Sequence, residues 1–250
     1  MAQRSAFITG ASYGVGSAIA VALANNGFDV AVSATRRDHL ARTVAKLKPL
    51  GIRVLPVVLE LGSTTSINTA ISEVVAALGG IDVLVNNAAT SVRKRAIDLT
   101  PAEWNAVINV NVTGTFFLTQ QVGRHLIERA RPGSIVNIAS VHGILGVAER
   151  CPYGVSKAAI IQMTRMLAVE WAENAIRVNA VAPGRLLTES PSRTATAQDQ
   201  HYMDAMLKRI PLHRFATVDE VAAAVSYLVG TNAESITGQT LVLDGGLTIA

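Results

Sequence analysis

Thr9-Gly10-Ala11-Ser12-Tyr13-Gly14-Val15-Gly16 decides how this chain is read. It follows a short apolar run, Ser5 to Thr9, and precedes a helical pattern from Ser17 to Asn26 that Gly27 ends. Strand, glycine turn and helix in that order form the context in which a glycine-rich loop binds phosphate. The glycines let the backbone approach a pyrophosphate, and the helix start offers free N–H groups and the positive end of its dipole. The bland alternative is an ordinary tight turn.

Working outward, strand and helix patterns alternate. Phe28–Ser33, Val54–Leu59, Ile81–Val85, Ser134–Ala139, Arg177–Val181 and Thr240–Leu243 read as strands. Helices are expected at 37–48, 66–78, 101–130, 153–173, around 199–208 and at 218–229. Thr100, Pro101 and Glu103 have the spacing of a capping box with proline at the first helical position. Such alternation predicts an α/β, doubly wound (Rossmann) parallel sheet of seven strands with helices on both faces. No repeat or linker interrupts it, so residues 1–250 are expected to form one dinucleotide-binding and catalytic domain. Arg185 to Gln200 is polar and aperiodic, and a mobile substrate loop is expected near 185–210.

Ligands in such sheets bind outside the carboxyl ends of the strands. That edge should gather Gly10–Gly16, Thr35–Arg36, Asn86–Ala89, Ser140 and Pro183–Gly184. An acidic residue after the second strand would bind a ribose 2′-hydroxyl, whereas arginine pairs with a 2′-phosphate. Thr35 and Arg36 stand there and no carboxylate precedes Asp38, which favours NADP(H) over NAD(H). Asn86 and Asn87 either bond cofactor groups or tie strands together.

Composition narrows the function class. The chain is 50% hydrophobic, 16% charged and 4% aromatic, as buried parallel sheets require. A net charge of +4 with scattered bases excludes a typical nucleic-acid binder and suits an anionic cofactor or substrate. The single cysteine, Cys151, excludes an intrachain disulfide and fits a reducing compartment. Neither a signal sequence nor a membrane span is visible, so a cytoplasmic location is the default expectation. No metal site is expected.

Tyr153 and Lys157 lie one turn apart on a predicted helix. A lysine beside a phenol favours the phenolate and brings its pKa toward neutrality, creating a proton donor and acceptor. Alone this spacing is common.

Together, Thr9-Gly10, Gly14, Gly16, Asn86-Asn87-Ala88-Ala89, Asn111, Ser140, Tyr153, Lys157 and Pro183-Gly184 resemble the motifs of the short-chain dehydrogenase/reductase family, from Ser5 to Gly246. Ser140 precedes Tyr153 by thirteen residues, as in that family. The resemblance implies a catalytic tetrad. Tyr153 would be the acid/base and Lys157 would bond the nicotinamide ribose. Ser140 would polarise the carbonyl, and Asn111 would hold a water linking Lys157 to solvent. It also implies that Gly10, Ser12, Tyr13, Gly14, Val15, Gly16, Thr35, Arg36, Glu60, Leu61, Asn87, Ala88, Ala89, Pro183, Gly184, Leu186 and Thr188 line the cofactor. Tyr13 stands where NADP-preferring relatives often carry a base, Glu60 where aspartate is usual, and Ala89 where glycine is frequent. Homotetramers are usual at this length.

The implied reaction is hydride transfer between a nicotinamide cofactor and a ketone or secondary alcohol. A cofactor-binding sensor without turnover and an epimerase are the competing readings. The substrate is less legible. His142, Arg93, Arg150 and Arg185 are candidates for contacting it. The bases suggest an anionic substrate, such as a sugar acid or an acyl thioester on a carrier. Solvated loop charges are the plainer reading of the same residues.

Overall fold

The computed structural model describes residues 3–186 and 197–250, with the side chains of 197–202 left aside. Thr188, expected at the cofactor, and residues 187–196 of the expected substrate loop lie outside the described residues.

Seven parallel strands form one sheet: β1 (Ser5–Ile8), β2 (Asp29–Ala34), β3 (Val54–Val58), β4 (Val83–Asn86), β5 (Gly133–Ile138), β6 (Ile176–Pro183) and β7 (Thr240–Leu243). Their order across the sheet is β3-β2-β1-β4-β5-β6-β7. The order reverses between β1 and β4, and the crevice at such a switch point is where a doubly wound fold binds ligand.

The strands read as near-continuous apolar runs because both faces are covered. Successive side chains nevertheless go to opposite layers. Ala6, Ile8, Val30, Val32, Val83, Val85, Val136 and Ile138 pack with α1 (Gly14–Asn25), α2 (Ala41–Leu47) and α8 (Val218–Val229). Phe7, Ala31, Leu84, Ile135 and Val178 face the other way, toward α3 (Thr64–Leu78), α5 (Thr115–Glu128) and α6 (Cys151–Glu170). Every strand of these pairs is buried, so a one-residue register slip would exchange the two cores.

The predicted capping box is present. Thr100 Oγ1 accepts from the Glu103 N–H at 3.3 Å, and the Glu103 carboxylate accepts from the Thr100 N–H at 2.9 Å. Helix α4 (Pro101–Ile108) follows it. One expectation needs correcting. The helix predicted over 101–130 runs from Pro101 to Glu128 but is not a uniform α-helix, because a π-helical turn, Asn109–Gly114, joins α4 to α5. Tight packing accompanies the turn, since a side chain on Gly114 would strike the Leu61 carbonyl. Between the strand expected at 134–139 and the helix expected at 153–173 lies a 3₁₀ turn, Val141–Gly143, and α6 starts at Cys151 rather than Tyr153. Helix α7 (Ala197–Arg209) covers the short helix expected around 199–208.

Candidate active site

The loop after β1 leads into α1, and its glycines have steric reasons to be there. Gly10 and Gly14 have φ of +65° and +58°, which L side chains rarely adopt. A Cβ on Gly16 would lie 2.5 Å from the Gly10 carbonyl oxygen and 2.6 Å from Asn87 Nδ2. The loop is therefore folded hard against the end of β4. Ser63, Thr100 and Thr217 cap α3, α4 and α8 with their side chains, whereas Tyr13 makes no side-chain cap at α1. The first-turn N–H groups of α1 thus have no capping side chain to compete with an anion.

A cleft of about 810 Å³ opens over this loop. Its wall contains Gly10, Ser12, Tyr13, Gly14, Val15, Gly16, Thr35, Glu60, Leu61, Asn87, Ala88 and Ala89 of the expected cofactor residues. Ser63, Thr90 and Val110 line it as well, and the sequence reading missed them. A second cleft, about 700 Å³, holds Ser140, His142, Tyr153, Gly184, Leu186, Arg93, Arg150 and Arg185. Ala89 and Thr90 belong to both walls, so the clefts adjoin at the loop after β4.

Arg36 and Pro183 do not line either cleft. Arg36 binds Asp38 side-on, with Nε to Oδ1 at 3.1 Å and Nη2 to Oδ2 at 2.8 Å. Both side chains are exposed, at 68% and 61%. The arginine that favoured NADP is held outside the wall by the carboxylate two residues later. Pro183 is buried as the last residue of β6, opposite Leu243.

Both carboxamides tie strands together, and Asn87 lines the first cleft as well. Asn86 Nδ2 donates to Thr119 Oγ1 and Asn137 Oδ1, both at 2.8 Å. Asn87 Nδ2 donates to the Thr9 and Gly10 carbonyls at 3.0 and 2.8 Å. Thr9 Oγ1 accepts from the Asn87 and Ala88 N–H groups, each at 3.0 Å. These bonds fix the floor between the clefts.

Tyr153 and Lys157 project from the first turns of α6, and Gly143 and Gly154 let that helix approach the turn after Ser140. A Cβ on Gly143 would lie 2.7 Å from the Lys157 carbonyl carbon, and one on Gly154 2.9 Å from the His142 carbonyl oxygen. Lys157 is buried, and its ammonium donates to the Ile138 carbonyl at 2.6 Å. Burial lowers its pKa from 10.5 to about 8. Nζ stands 5.6 Å from the Tyr153 ring centroid. The expected depression of the phenol pKa by Lys157 is not seen here. Burial pushes the Tyr153 phenol above its ordinary value, while the Ser140 hydroxyl and the Arg150 guanidinium pull in the other direction. Loss of water around the phenolate outweighs the Ser140 hydrogen bond and the Arg150 charge together.

Asn111 lies within the π-helical turn. Its Oδ1 accepts from the Thr90 N–H at 2.8 Å, and Nδ2 donates to the Thr90 carbonyl at 2.9 Å and to Ser156 Oγ at 3.0 Å. Ser156 in turn donates to the Tyr153 carbonyl at 2.7 Å. The carboxamide therefore joins the wall shared by the clefts to the helix bearing Tyr153, and both its N–H donors are engaged. A water held by this side chain would have to donate to Oδ1. The sequence reading missed Ser156, although its place directly before Lys157 on the buried face of α6 was a signal.

The basic segment is largely paired. Arg93 binds Glu149 at 2.8 Å, Lys94 binds Glu103 at 2.9 Å, and Arg95 binds Asp98 at 2.6 Å. Among the described residues, no group of three or more His, Cys, Asp or Glu side chains is placed to hold a metal ion. None of their helices is long and apolar enough to cross a membrane.

Comparison with known proteins places this arrangement among oxidoreductases. Residues 10–248 match the family model described as enoyl-(acyl carrier protein) reductase. The chain is 38% identical over 242 residues to a 3-oxoacyl-(acyl-carrier-protein) reductase of Thermotoga maritima, covering 97% of this chain and 96% of that protein. A solved short-chain type dehydrogenase/reductase from Mycobacterium marinum is similar with a TM-score of 0.92 and 31% identity, over 99% of this chain and 96% of that one. A variant of actinorhodin polyketide ketoreductase, solved with NADPH, has a TM-score of 0.91 and 33% identity, with 99% and 98% covered.

Proposed function

The chain belongs to the short-chain dehydrogenase/reductase family, and on that premise we propose that it is an NADP(H)-dependent oxidoreductase acting on a ketone or secondary alcohol. The observation that carries this reading is the adjacency of the two clefts. One ends at a glycine cradle and a helix start without a capping side chain, and the other carries the Tyr153 phenol beside Ser140.

The residues present fit a dinucleotide. The cradle leaves room for phosphate where a side chain at Gly10 or Gly16 would press into its own floor. Gly14, Val15 and the first turn of α1 would hold the pyrophosphate, Glu60 and Leu61 would lie along the adenine side, and Lys157 would donate to the nicotinamide ribose. Arg36 would meet a 2′-phosphate by leaving Asp38. Bound there, a nicotinamide cofactor supplies a hydride to a carbonyl carbon or accepts one from an alcohol carbon.

During reduction, negative charge develops on the substrate oxygen. Tyr153 gives that oxygen its phenolic proton, and the Ser140 hydroxyl donates a hydrogen bond to it. Lys157, buried below, offers charge to the phenolate left behind. Because burial raises the Tyr153 pKa, the phenol is the resident form at neutral pH, which suits the reductive direction. Oxidation needs the phenolate and should gain with rising pH. Asn111 and Ser156 are positioning residues that fix Tyr153 relative to the shared wall.

The second cleft has four arginines, Arg93, Arg150, Arg185 and Arg209, against Glu149. That charge supports an anionic substrate, and an acyl thioester on an acidic carrier is consistent with the acyl-carrier and polyketide reductases named above. Exposed Phe117, Met166 and Val169 on α5 and α6 support self-association as a homotetramer, which light scattering would test.

The deciding experiment is Tyr153→Phe. It should retain NADPH affinity while reducing carbonyl turnover at least about a hundredfold. Undiminished turnover would refute the mechanism.

A further inference from the structure

Thr43 of α2 stands where the helical pattern calls for an apolar side chain. Leu40, Thr43 and Leu47 follow spacings of three and four, and all three are fully buried. The two leucines join the core that packs on α1. Valine has the shape of threonine and would bring no polar atom into this core, so the hydroxyl needs a reason of its own.

That reason lies in the glycine loop. Thr43 Oγ1 is 2.7 Å from the Ala11 carbonyl oxygen, 2.9 Å from Ser17 Oγ and 3.3 Å from the Ser12 carbonyl oxygen. A hydroxyl has one proton to give and can accept as well. Given to the Ala11 carbonyl, the shortest of the three contacts, that proton leaves the Thr43 oxygen to accept from the Ser17 hydroxyl near the start of α1. Ala11 is held from another side too, because its N–H donates to the Ser33 carbonyl of β2 at 2.9 Å. One side chain of α2 therefore joins the loop to the helix that it opens.

The direction of this contact matters. In a planar trans peptide the carbonyl and the following N–H point opposite ways. The Ala11 carbonyl points back at Thr43, which is fully buried behind the loop, so the Ser12 N–H points away from α2, on the cleft side. The Ser12 carbonyl, nearest the same oxygen, turns the Tyr13 N–H likewise. Ser12 and Tyr13 both line the cleft, and among the described residues neither N–H has a backbone acceptor.

Resting on the dinucleotide reading above, we infer that Thr43 is a positioning residue for cofactor binding: it never touches the cofactor, and its hydroxyl holds the Ala11 and Ser12 peptides with their N–H groups facing the cleft. Without it the loop spends part of its time with these peptides turned, and affinity falls by the fraction that remains competent.

The test is fluorescence titration of wild type, Thr43→Val, Thr43→Ser and Ser5→Ala with NADPH and with NADH, alongside melting temperatures and kcat at saturating NADPH. Ser5→Ala is the matched control, because it removes a buried hydroxyl bond to a carbonyl, Ser5 Oγ to Gly80 O at 2.6 Å, at the opposite edge of the sheet. Thr43→Val should weaken both cofactors alike by about three- to tenfold, the scale of one buried hydrogen bond, with kcat changed by less than about twofold. Thr43→Ser, which keeps the hydroxyl, should bind within about twofold of wild type. Ser5→Ala should lower the melting temperature and leave both affinities unchanged. A lower melting temperature in Thr43→Val with unchanged affinities, equal weakening in Ser5→Ala, weakening of NADPH alone, or no recovery in Thr43→Ser would each overturn the inference. Failure of the wild type to bind either cofactor would instead overturn the dinucleotide reading on which it rests.

Discussion

Lys157→Met should make the cofactor-free protein more stable at pH 7, and the advantage should disappear by about pH 10.5. Burial alone lowers the ammonium pKa from 10.5 to about 8, a shift of roughly 2.5 units, or about 3 kcal/mol. Below about pH 8 the amine is charged in both folded and unfolded chains, and the whole cost is present. Between about 8 and 10.5 the folded protein has released a proton that the unfolded chain keeps. Stability therefore rises with pH through that window. Methionine fills a similar volume with no charge and is insensitive to it. Its own penalty is the Ile138 carbonyl, which loses the 2.6 Å hydrogen bond from Nζ, so the net gain at pH 7 should be smaller than 3 kcal/mol. Urea unfolding of both proteins from pH 7 to 10.5 separates these contributions, because other titrating groups cancel in the difference. The difference should shift by about 3 kcal/mol in favour of wild type across the window. A difference that does not vary with pH would refute the claim that the ammonium is charged, buried and poorly compensated. The same reasoning gives a functional consequence: a ribose that accepts from Nζ binds the charged form, so cofactor affinity should fall above about pH 8 in wild type.

Arg36→Ala should weaken NADPH about tenfold and leave NADH unchanged, whereas Asp38→Asn should tighten NADPH by roughly two- to fivefold, the scale of an exposed pair released from competition. Fluorescence titration with both cofactors checks this, and equal effects on NADPH and NADH would exclude a 2′-phosphate role. Gly16→Ala should lower the melting temperature and abolish cofactor binding, because the new methyl meets the Gly10 carbonyl and Asn87 Nδ2 at 2.5 and 2.6 Å. Asn111→Leu should cost about 2–4 kcal/mol in urea unfolding and most of kcat, since it leaves the Thr90 amide and carbonyl without their partner.

What the sequence disclosed followed from local rules. A phosphate-type loop requires glycine at fixed places, a capping box requires threonine and glutamate three apart, and a doubly wound sheet requires alternating elements. Each is written in neighbouring residues, and Gly10–Gly16, Thr100–Glu103 and the seven strands emerged accordingly. Arg36 was legible only in part. Its position at the end of β2 was legible, but the direction of an exposed side chain depends on which partner captures it, and Asp38 does. The state of Lys157 was hidden because a pKa depends on burial, which only the packed turn at Gly143 and helix α6 create.

The π-helical turn shows most clearly where a pattern loses information. Across it, Val107, Asn111, Gly114, Leu118 and Val122 are all buried, at spacings of four, three, four and four. An uninterrupted α-helix would show that same stripe. A single widened turn changes hydrogen bonds over six residues without disturbing the apolar period, so periodicity cannot reveal it. The contacts that accompany it are distant in the chain: Leu61 against Gly114, and Thr90 and Ser156 on the Asn111 carboxamide. Such turns recur at functional sites, and here one sets the side chain linking the shared cleft wall to the helix that carries Tyr153. The Asn111 carboxamide, set within the buried helical stripe, was thus a local sign that the helix serves the site as well as the core.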